Sequence, residues 1–156
     1  MDYSGSENNT LVGCDVEPDQ AMQSLVDALD RLGHKAKACA SLAASRLVLG
    51  LRHQESWCAD VKKALSAVED WIRSGEATDR ERVLNTGLNL SCNRPAGEHL
   101  PLIFEYTSLT AYTPISSYRY VYYCLSQAAG EVPGGLSACR RAIQATLSEF
   151  DLAPLS

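Results

Sequence analysis

The stretch ESWCADVKKALSAVEDWIR, residues 55 to 73, decides the fold class of this chain. Its apolar side chains recur at helical spacing, at Trp57, Val61, Ala64, Leu65, Val68, Trp71 and Ile72. At about 100° per residue these positions share an arc of roughly 120°, the apolar face of a helix that packs on a core. Lys63 lies outside that arc. Gly75 follows where a left-handed C-cap ends such a helix.

The segments on both sides show the same periodicity. We predict further helices over residues 18–32, 35–49, 78–90, 117–129 and 137–150. Pro18 suits a first helical position, and the spacing of Thr78 and Glu81 is that of a capping box. Gly87 weakens the helix that contains it by up to ~1 kcal/mol, so that helix is expected to bend or end there. Residues 92–98 and 131–135 are predicted loops.

Residues 100–112, LPLIFEYTSLTAY, fit two structures. Their β-branched and aromatic content favours a strand, while Pro101 and the spacing of the apolar residues favour a helix. We predict a helix, because a single strand would have no partner. The fold class is then all-α: a compact single-domain bundle of about seven helices over residues 18–152, preceded by a flexible arm, residues 1–17. A solenoid arrangement of paired helices stays open.

Composition narrows the function classes. The chain of 156 residues is 46% hydrophobic and 21% charged, as in ordinary globular proteins. Its net charge of −5 argues against nucleic-acid binding, and no apolar run approaches the ~20 residues of a membrane span. The N-terminus MDYSGSENNT lacks the features of a signal peptide, which predicts a cytoplasmic protein. Arg80 and Arg82 are interpreted as part of a solvated helix face.

No sequence motif indicates a particular catalytic activity. P-loop, GxGxxG, HExxH and GxSxG patterns are absent, and the six cysteines form no CxxC pair. We therefore predict reduced, buried thiols, with no catalytic residue, metal or cofactor. His34 is interpreted as a capping or surface residue, and Glu69 and Asp70 as solvent-facing. A Cys/His pair that meets only in space stays open.

A resemblance covers about residues 21 to 85. It comprises SLVDALDRLGHKAKACASLA, then ESWCA, then ALSAVEDWIRSGEATDRERV, and the matching positions are Trp57, Ala64, Glu69, Trp71, Glu76 and Arg80. These segments resemble uncharacterised bacterial α-helical domains, some of them labelled immunity proteins. The tyrosine-rich second half departs from the pattern. The resemblance implies a helical interaction module without chemistry of its own.

Two function classes follow. The first is a protein that binds another protein, either a toxin it neutralises or a larger assembly, with a homo-oligomer also compatible. The second is an enzyme or ligand-binding bundle with an inter-helix pocket lined by tyrosine, cysteine and histidine, in which Tyr106, Tyr112 and residues 118–123 would take part. An exposed aromatic patch favours the first class. A connected cavity with His99, a cysteine and a tyrosine favours the second.

The helix over residues 117–129 carries the predicted partner site. Its core stripe is predicted to be Tyr118, Val121, Tyr122, Leu125 and Ala129. The predicted partner-binding residues, on the other side, are Arg119, Tyr120, Tyr123 and Gln127. Tyrosines beside an arginine are typical of interface hot spots. The alternative is that this helix is buried all round, with every hydroxyl bonded internally.

Overall fold

The computed structural model describes residues 12–52, 56–94 and 101–155, and within these ranges the chain is all-α. The helices are α1 (Val12–Leu32), α2 (His34–Leu51), α3 (Cys58–Ser74), α4 (Ala77–Cys92), α5 (Pro101–Tyr112), α6 (Ser117–Glu131) and α7 (Gly135–Glu149). Their buried apolar side chains form one cluster. The predicted fold class, a compact helical bundle, is confirmed.

Helix α3 follows the sequence prediction closely. All seven predicted core side chains are buried, and the two tryptophans, Trp57 and Trp71, are only 4% and 6% exposed. Gly75 ends the helix in the left-handed conformation, with φ 68°, and its N–H donates to the Trp71 carbonyl at 2.7 Å. Lys63, opposite the stripe, is exposed.

Helix α2, rather than α3, lies at the centre of the bundle. It packs against α1, α3, α5, α6 and α7, whereas α3 packs against α2, α4 and α5. Every residue from Ala36 to Ser45 is buried. Small side chains cause this, because alanine and serine let neighbouring helices approach α2 from several directions.

Two predicted helix starts were wrong. Helix α1 begins at Val12, so residues 12–17, predicted to belong to the arm, are helical, and Pro18 lies inside the helix. A proline removes one backbone donor without excluding a helix. Residues 1–11 of the predicted arm lie outside the described residues.

The predicted capping box of α4 is also absent. This helix begins at Ala77, so Thr78 is its second residue and not its cap. Its N-cap is Glu76, whose side chain makes no capping hydrogen bond; the Ser74 hydroxyl before it accepts the Glu76 N–H at 3.0 Å and donates to Asp79 at 2.5 Å. Nor does α4 end at Gly87, since it continues to Cys92.

Helix α5 confirms the choice of helix over strand, and its threonines explain the ambiguity. Thr107 is fully buried; its hydroxyl bonds the Ile103 carbonyl at 3.2 Å and shares a 2.6 Å hydrogen bond with Ser45 on α2. Thr110 accepts a 3.3 Å bond from Ser41. The β-branched residues that indicated a strand therefore satisfy their hydroxyls inside the helix and across a helix–helix contact.

The loop between α6 and α7 is short, and the C-terminal tail packs back on the last helix. Helix α6 ends at Glu131 and α7 begins at Gly135, which leaves the predicted loop only three residues. After α7 the tail folds back: the Leu152 N–H donates to the Leu147 carbonyl at 2.8 Å, and the Leu155 N–H to the Gln144 side chain at 3.0 Å. Among the described residues, no helix combines the length and apolarity needed to cross a membrane.

Candidate functional site

Three tyrosines on α5 and α6 are in contact at the surface of the bundle. The Tyr106 ring centroid lies 6.2 Å from that of Tyr120, with near-parallel planes, and 5.6 Å from that of Tyr123. Tyr123 is 45% exposed, and the other two are half-buried. We call these rings, with the neighbouring Arg119 and Gln127 of α6, the tyrosine surface.

The predicted partner-binding residues all lie on the outer side of α6. Arg119 and Tyr123 are exposed, and Tyr120 and Gln127 are half-buried. The alternative of a helix buried all round was wrong for Arg119 and Tyr123. Tyr106 was not predicted to join this group, since its suggested place was the lining of an inter-helix pocket. No local signal identifies it, because the contact depends on how α5 packs on α6.

The core face of α6 is rotated relative to the predicted stripe. Val121 and Leu125 are fully buried as predicted, but Tyr118, Tyr122 and Ala129 are only partly buried. The deeper positions are Cys124 and Ala128, which are fully buried. The small side chains face inward because α6 packs against both α2 and α5, and the space between two close helices excludes a tyrosine ring.

The other described tyrosines, Tyr112, Tyr118 and Tyr122, lie in different places and do not line one pocket. The Tyr118 hydroxyl donates to Asp27 on α1 at 2.7 Å, a bond that raises the pKa of Tyr118 to about 12. Tyr112 lines a groove between α4 and α5, and Tyr122 a shallow groove bordered by α1, α6 and α7. Neither lining contains a histidine or a cysteine among the described residues.

His34 is half-buried and contacts α5 and α3, so the prediction of a surface residue was wrong. It is the first residue of α2, its Nε2–H donates to the Thr110 carbonyl at 2.7 Å, and its ring lies 4.9 Å from that of Trp71. Burial lowers the pKa of His34 below 6.5, with Lys37 and Arg80 adding to the effect and the carbonyl bond opposing it. His53 and His99 lie outside the described residues.

This environment predicts a pH-dependent stability. Because burial lowers the pKa of His34 in the folded protein, the unfolded chain binds the proton more readily. The stability that His34 contributes in this way is therefore fully present above about pH 6.5, and it is lost as the pH falls from there towards the lower pKa of the folded protein. We expect His34→Gln, which keeps an N–H donor but does not titrate, to lose less stability between pH 7.5 and 5. Urea unfolding across this range measures the difference, and parallel curves for the two proteins would contradict it.

Charged residues predicted to face solvent also make specific contacts. Arg80 donates two hydrogen bonds to the Tyr112 carbonyl, at 3.0 and 2.7 Å, and its guanidinium lies 4.5 Å from the Tyr112 ring centroid. It thereby satisfies the C-terminal end of α5, so the solvated-face interpretation was wrong for this residue. Arg82, by contrast, is exposed and pairs with Asp70 at 2.8 Å. Glu69 is not free in solvent either, because Arg46 bonds it at 2.6 Å.

Five cysteines whose side chains the structure describes are free thiols. Cys39, Cys58, Cys124 and Cys139 are buried, whereas Cys92 is exposed at the end of α4, against the prediction of buried thiols. Burial raises the pKa of Cys39 to about 12 and that of Cys124 to about 11, which disfavours the nucleophilic thiolate. Within the described ranges, no three His, Cys, Asp or Glu side chains are placed to hold a metal ion.

The thiols predict insensitivity to reductant. We expect six free thiols when the unfolded protein is titrated with a thiol reagent, because the chain has six cysteines and the described ones form no disulfide. Added reductant is expected to leave the melting temperature unchanged. A titration that finds fewer than six thiols, together with a melting temperature that falls in reductant, would show a structural disulfide.

The fold and the site define a helical bundle with an aromatic surface patch. Comparisons of the chain with protein-family profiles, with curated proteins and with solved structures found no match.

Proposed function

We propose that this protein is an interaction module that binds another protein through the tyrosine surface. A neutralising protein of the immunity type, or a subunit of a larger assembly, is the form of this function that the sequence resemblance favours. The observation that carries the proposal is the contact of three tyrosine rings at the surface, with Tyr123 45% exposed. Tyrosine and arginine are the residues in which interface hot spots are enriched.

The packing of the rings supports binding energetically. Ordering a mobile side chain at an interface weakens binding by about 0.5–1.5 kcal/mol for each side chain immobilised. Tyr120 and Tyr123 already contact Tyr106, so the three rings hold one another in place before a partner arrives. A rigid aromatic platform of this kind gives large contact area at low entropic cost.

The net charge of the protein favours a partner of opposite charge. The chain carries a net charge of −5, so its long-range field attracts a positively charged protein and repels an acidic one. Arg119 places a local positive charge beside the tyrosines. The partner that fits best is therefore basic overall, with a carboxylate or carbonyl opposite Arg119.

The test is affinity capture from the native host, followed by binding measurements with the captured partner. We expect the double change Tyr120→Ala, Tyr123→Ala to weaken binding by roughly tenfold or more, because hot-spot truncations cost about 2 kcal/mol or above. The matched control is Lys63→Ala, Glu81→Ala on exposed positions of α3 and α4, which leaves the net charge unchanged and should bind as the unaltered protein does.

Melting curves separate the outcomes. Lost binding with little change in melting temperature supports the interface. A loss of several kcal/mol of stability in the double variant would show that both rings are needed by the core. Sedimentation analysis distinguishes a second copy of this chain from a different partner, since only self-association depends on the concentration of the protein alone.

A further inference from the structure

The C-terminal half of α4 carries an exposed face, separate from the tyrosine surface, that has no charge. Asn85, Leu88, Asn89 and Cys92 are all exposed, Leu88 by 55%. Their spacing of three and four residues places them on one side of the helix. Helices α3 and α5 pack against the other sides of α4. We call these four side chains the asparagine face.

The absence of charge is unusual for the surface of this chain. No charged residue occurs from residue 83 to residue 93, although charged residues make up 21% of the sequence. The arginines at the two ends of that run are already ion-paired: Arg82 lies 2.8 Å from Asp70, and Arg94 lies 3.2 Å from Glu105. Charged residues are depleted in the buried centres of protein interfaces, so this composition is typical of a contact surface.

We propose that the asparagine face is a self-association surface, on which a second copy of this chain docks about a two-fold axis. A two-fold contact brings the same surface of both copies together, so that surface must complement itself. An asparagine amide has N–H donors and a carbonyl acceptor, so Asn85 and Asn89 of one copy can pair with those of the other. A row of lysines or of glutamates would repel its own copy.

The shape of this region is also self-complementary. Leu88 is exposed at the edge of the groove between α4 and α5, whose apolar lining includes Leu84, Leu109 and Tyr112. A two-fold axis through the asparagine face brings the Leu88 of each copy towards the groove of the other. Both copies then remove apolar surface from water, which favours association by about 25 cal/mol per Å² buried.

Electrostatics favours a second copy over a charged partner at this face. The chain has a net charge of −5, so two copies repel each other least where neither presents a charge. A basic protein is attracted by the net charge to any part of the surface, but the asparagine face offers it no ion pair. A neutral, amide-rich face pairs best with another of its kind, and the second copy supplies one.

The contact is small, so the dimer is weak. Residues 85–92 rise by only about 10 Å along α4, which is two turns of the helix. Interfaces that bury less than about 1,200 Å² in total are typical of transient complexes. We therefore expect a dissociation constant of roughly 0.1–1 mM. Added salt should strengthen the association, because it screens the repulsion between two acidic copies.

Sedimentation equilibrium of the full chain between about 10 µM and 1 mM tests the proposal, with reductant present so that Cys92 forms no disulfide. We expect the average mass to rise from that of the monomer towards that of the dimer. In the ¹⁵N-labelled protein, the amide shifts that change on dilution should belong to α4 and its groove. A monomer at every concentration, or shifts centred on another surface, would overturn the proposal.

Substitutions on the face separate this contact from other self-association. Leu88→Glu is expected to keep the protein monomeric at 1 mM, because it brings two carboxylates together across the axis. The matched control, Leu51→Glu, adds the same charge at a leucine of α2 that is 49% exposed, and should associate as the unaltered protein does. Asn89→Asp adds a charge without a change in size and should weaken association several-fold. It decides the question if Leu88→Glu lowers the melting temperature, and unchanged association in Asn89→Asp would refute the proposal.

Discussion

Replacing Trp71 by alanine is expected to lower the free energy of unfolding by about 3–5 kcal/mol, because it leaves a cavity in the middle of the packed stripe. The side chain is 6% exposed, and its ring lies 4.9 Å from that of His34. The substitution therefore also removes a contact between α3 and α2, the helix at the centre of the bundle. Urea unfolding monitored by circular dichroism measures the loss.

The matched control is Lys63→Ala on the same helix. Lys63 is exposed, so its removal should change the unfolding free energy by no more than about 0.5 kcal/mol. Both variants keep good helix formers in α3, which leaves burial as the main difference between them. Equal denaturant midpoints for the two proteins would show that the stripe does not form the core contact.

The fold class could be predicted because each helix carries its own apolar periodicity. Helix α3 is the clearest case: its stripe is narrow, and every member of it is buried. The central position of α2 could not be predicted in the same way. Its alanines and serines give no narrow stripe, and residues from Ala36 to Ser45 are buried on all sides. Periodicity identifies the one face of an outer helix, whereas a central helix has no single face.

Helix boundaries were predicted less well because capping residues compete. Thr78 is a suitable cap by residue type, yet α4 begins one residue earlier, with Glu76 as its N-cap and Ser74 bonded to the Glu76 N–H and to Asp79. Pro18 is favoured at a first helical position but is tolerated further in, and α1 begins at Val12. Such choices differ by about 1 kcal/mol, which is small compared with the packing energy of a whole helix.

The candidate site was predicted in part. The sequence placed Tyr120 and Tyr123 off the core face, and Tyr123 is exposed. It could not place Tyr106 beside them, because that contact joins two helices. The buried hydroxyl of Ser108 has no hydrogen-bond partner, and this too is invisible in a sequence, where serine is an ordinary polar residue. Contacts between helices, and the polar atoms left without them, appear only in three dimensions.

The substitution Gly87→Ala tests how closely α4 and α5 pack. Alanine in place of a helical glycine ordinarily stabilises a protein by about 0.4–1 kcal/mol. At Gly87 the added Cβ would lie 2.7 Å from the Cβ of Ser108 and 3.1 Å from its hydroxyl. Ser108 is 4% exposed and cannot move aside, so the two helices must separate. We expect Gly87→Ala to destabilise the protein by about 1–3 kcal/mol.

The control for this substitution is Gly130→Ala in α6. An added Cβ at Gly130 meets nothing within 4 Å, so the ordinary gain of up to ~1 kcal/mol should appear. The two variants are the same chemical change in two helices, and their effects on urea unfolding should have opposite signs. Adding Ser108→Gly to Gly87→Ala removes the clashing atom and should recover part of the loss, beyond the cost of the new glycine. If Gly87→Ala and Gly130→Ala stabilise the protein equally, α4 and α5 are not in close contact at Gly87, and the groove between them is wider than described.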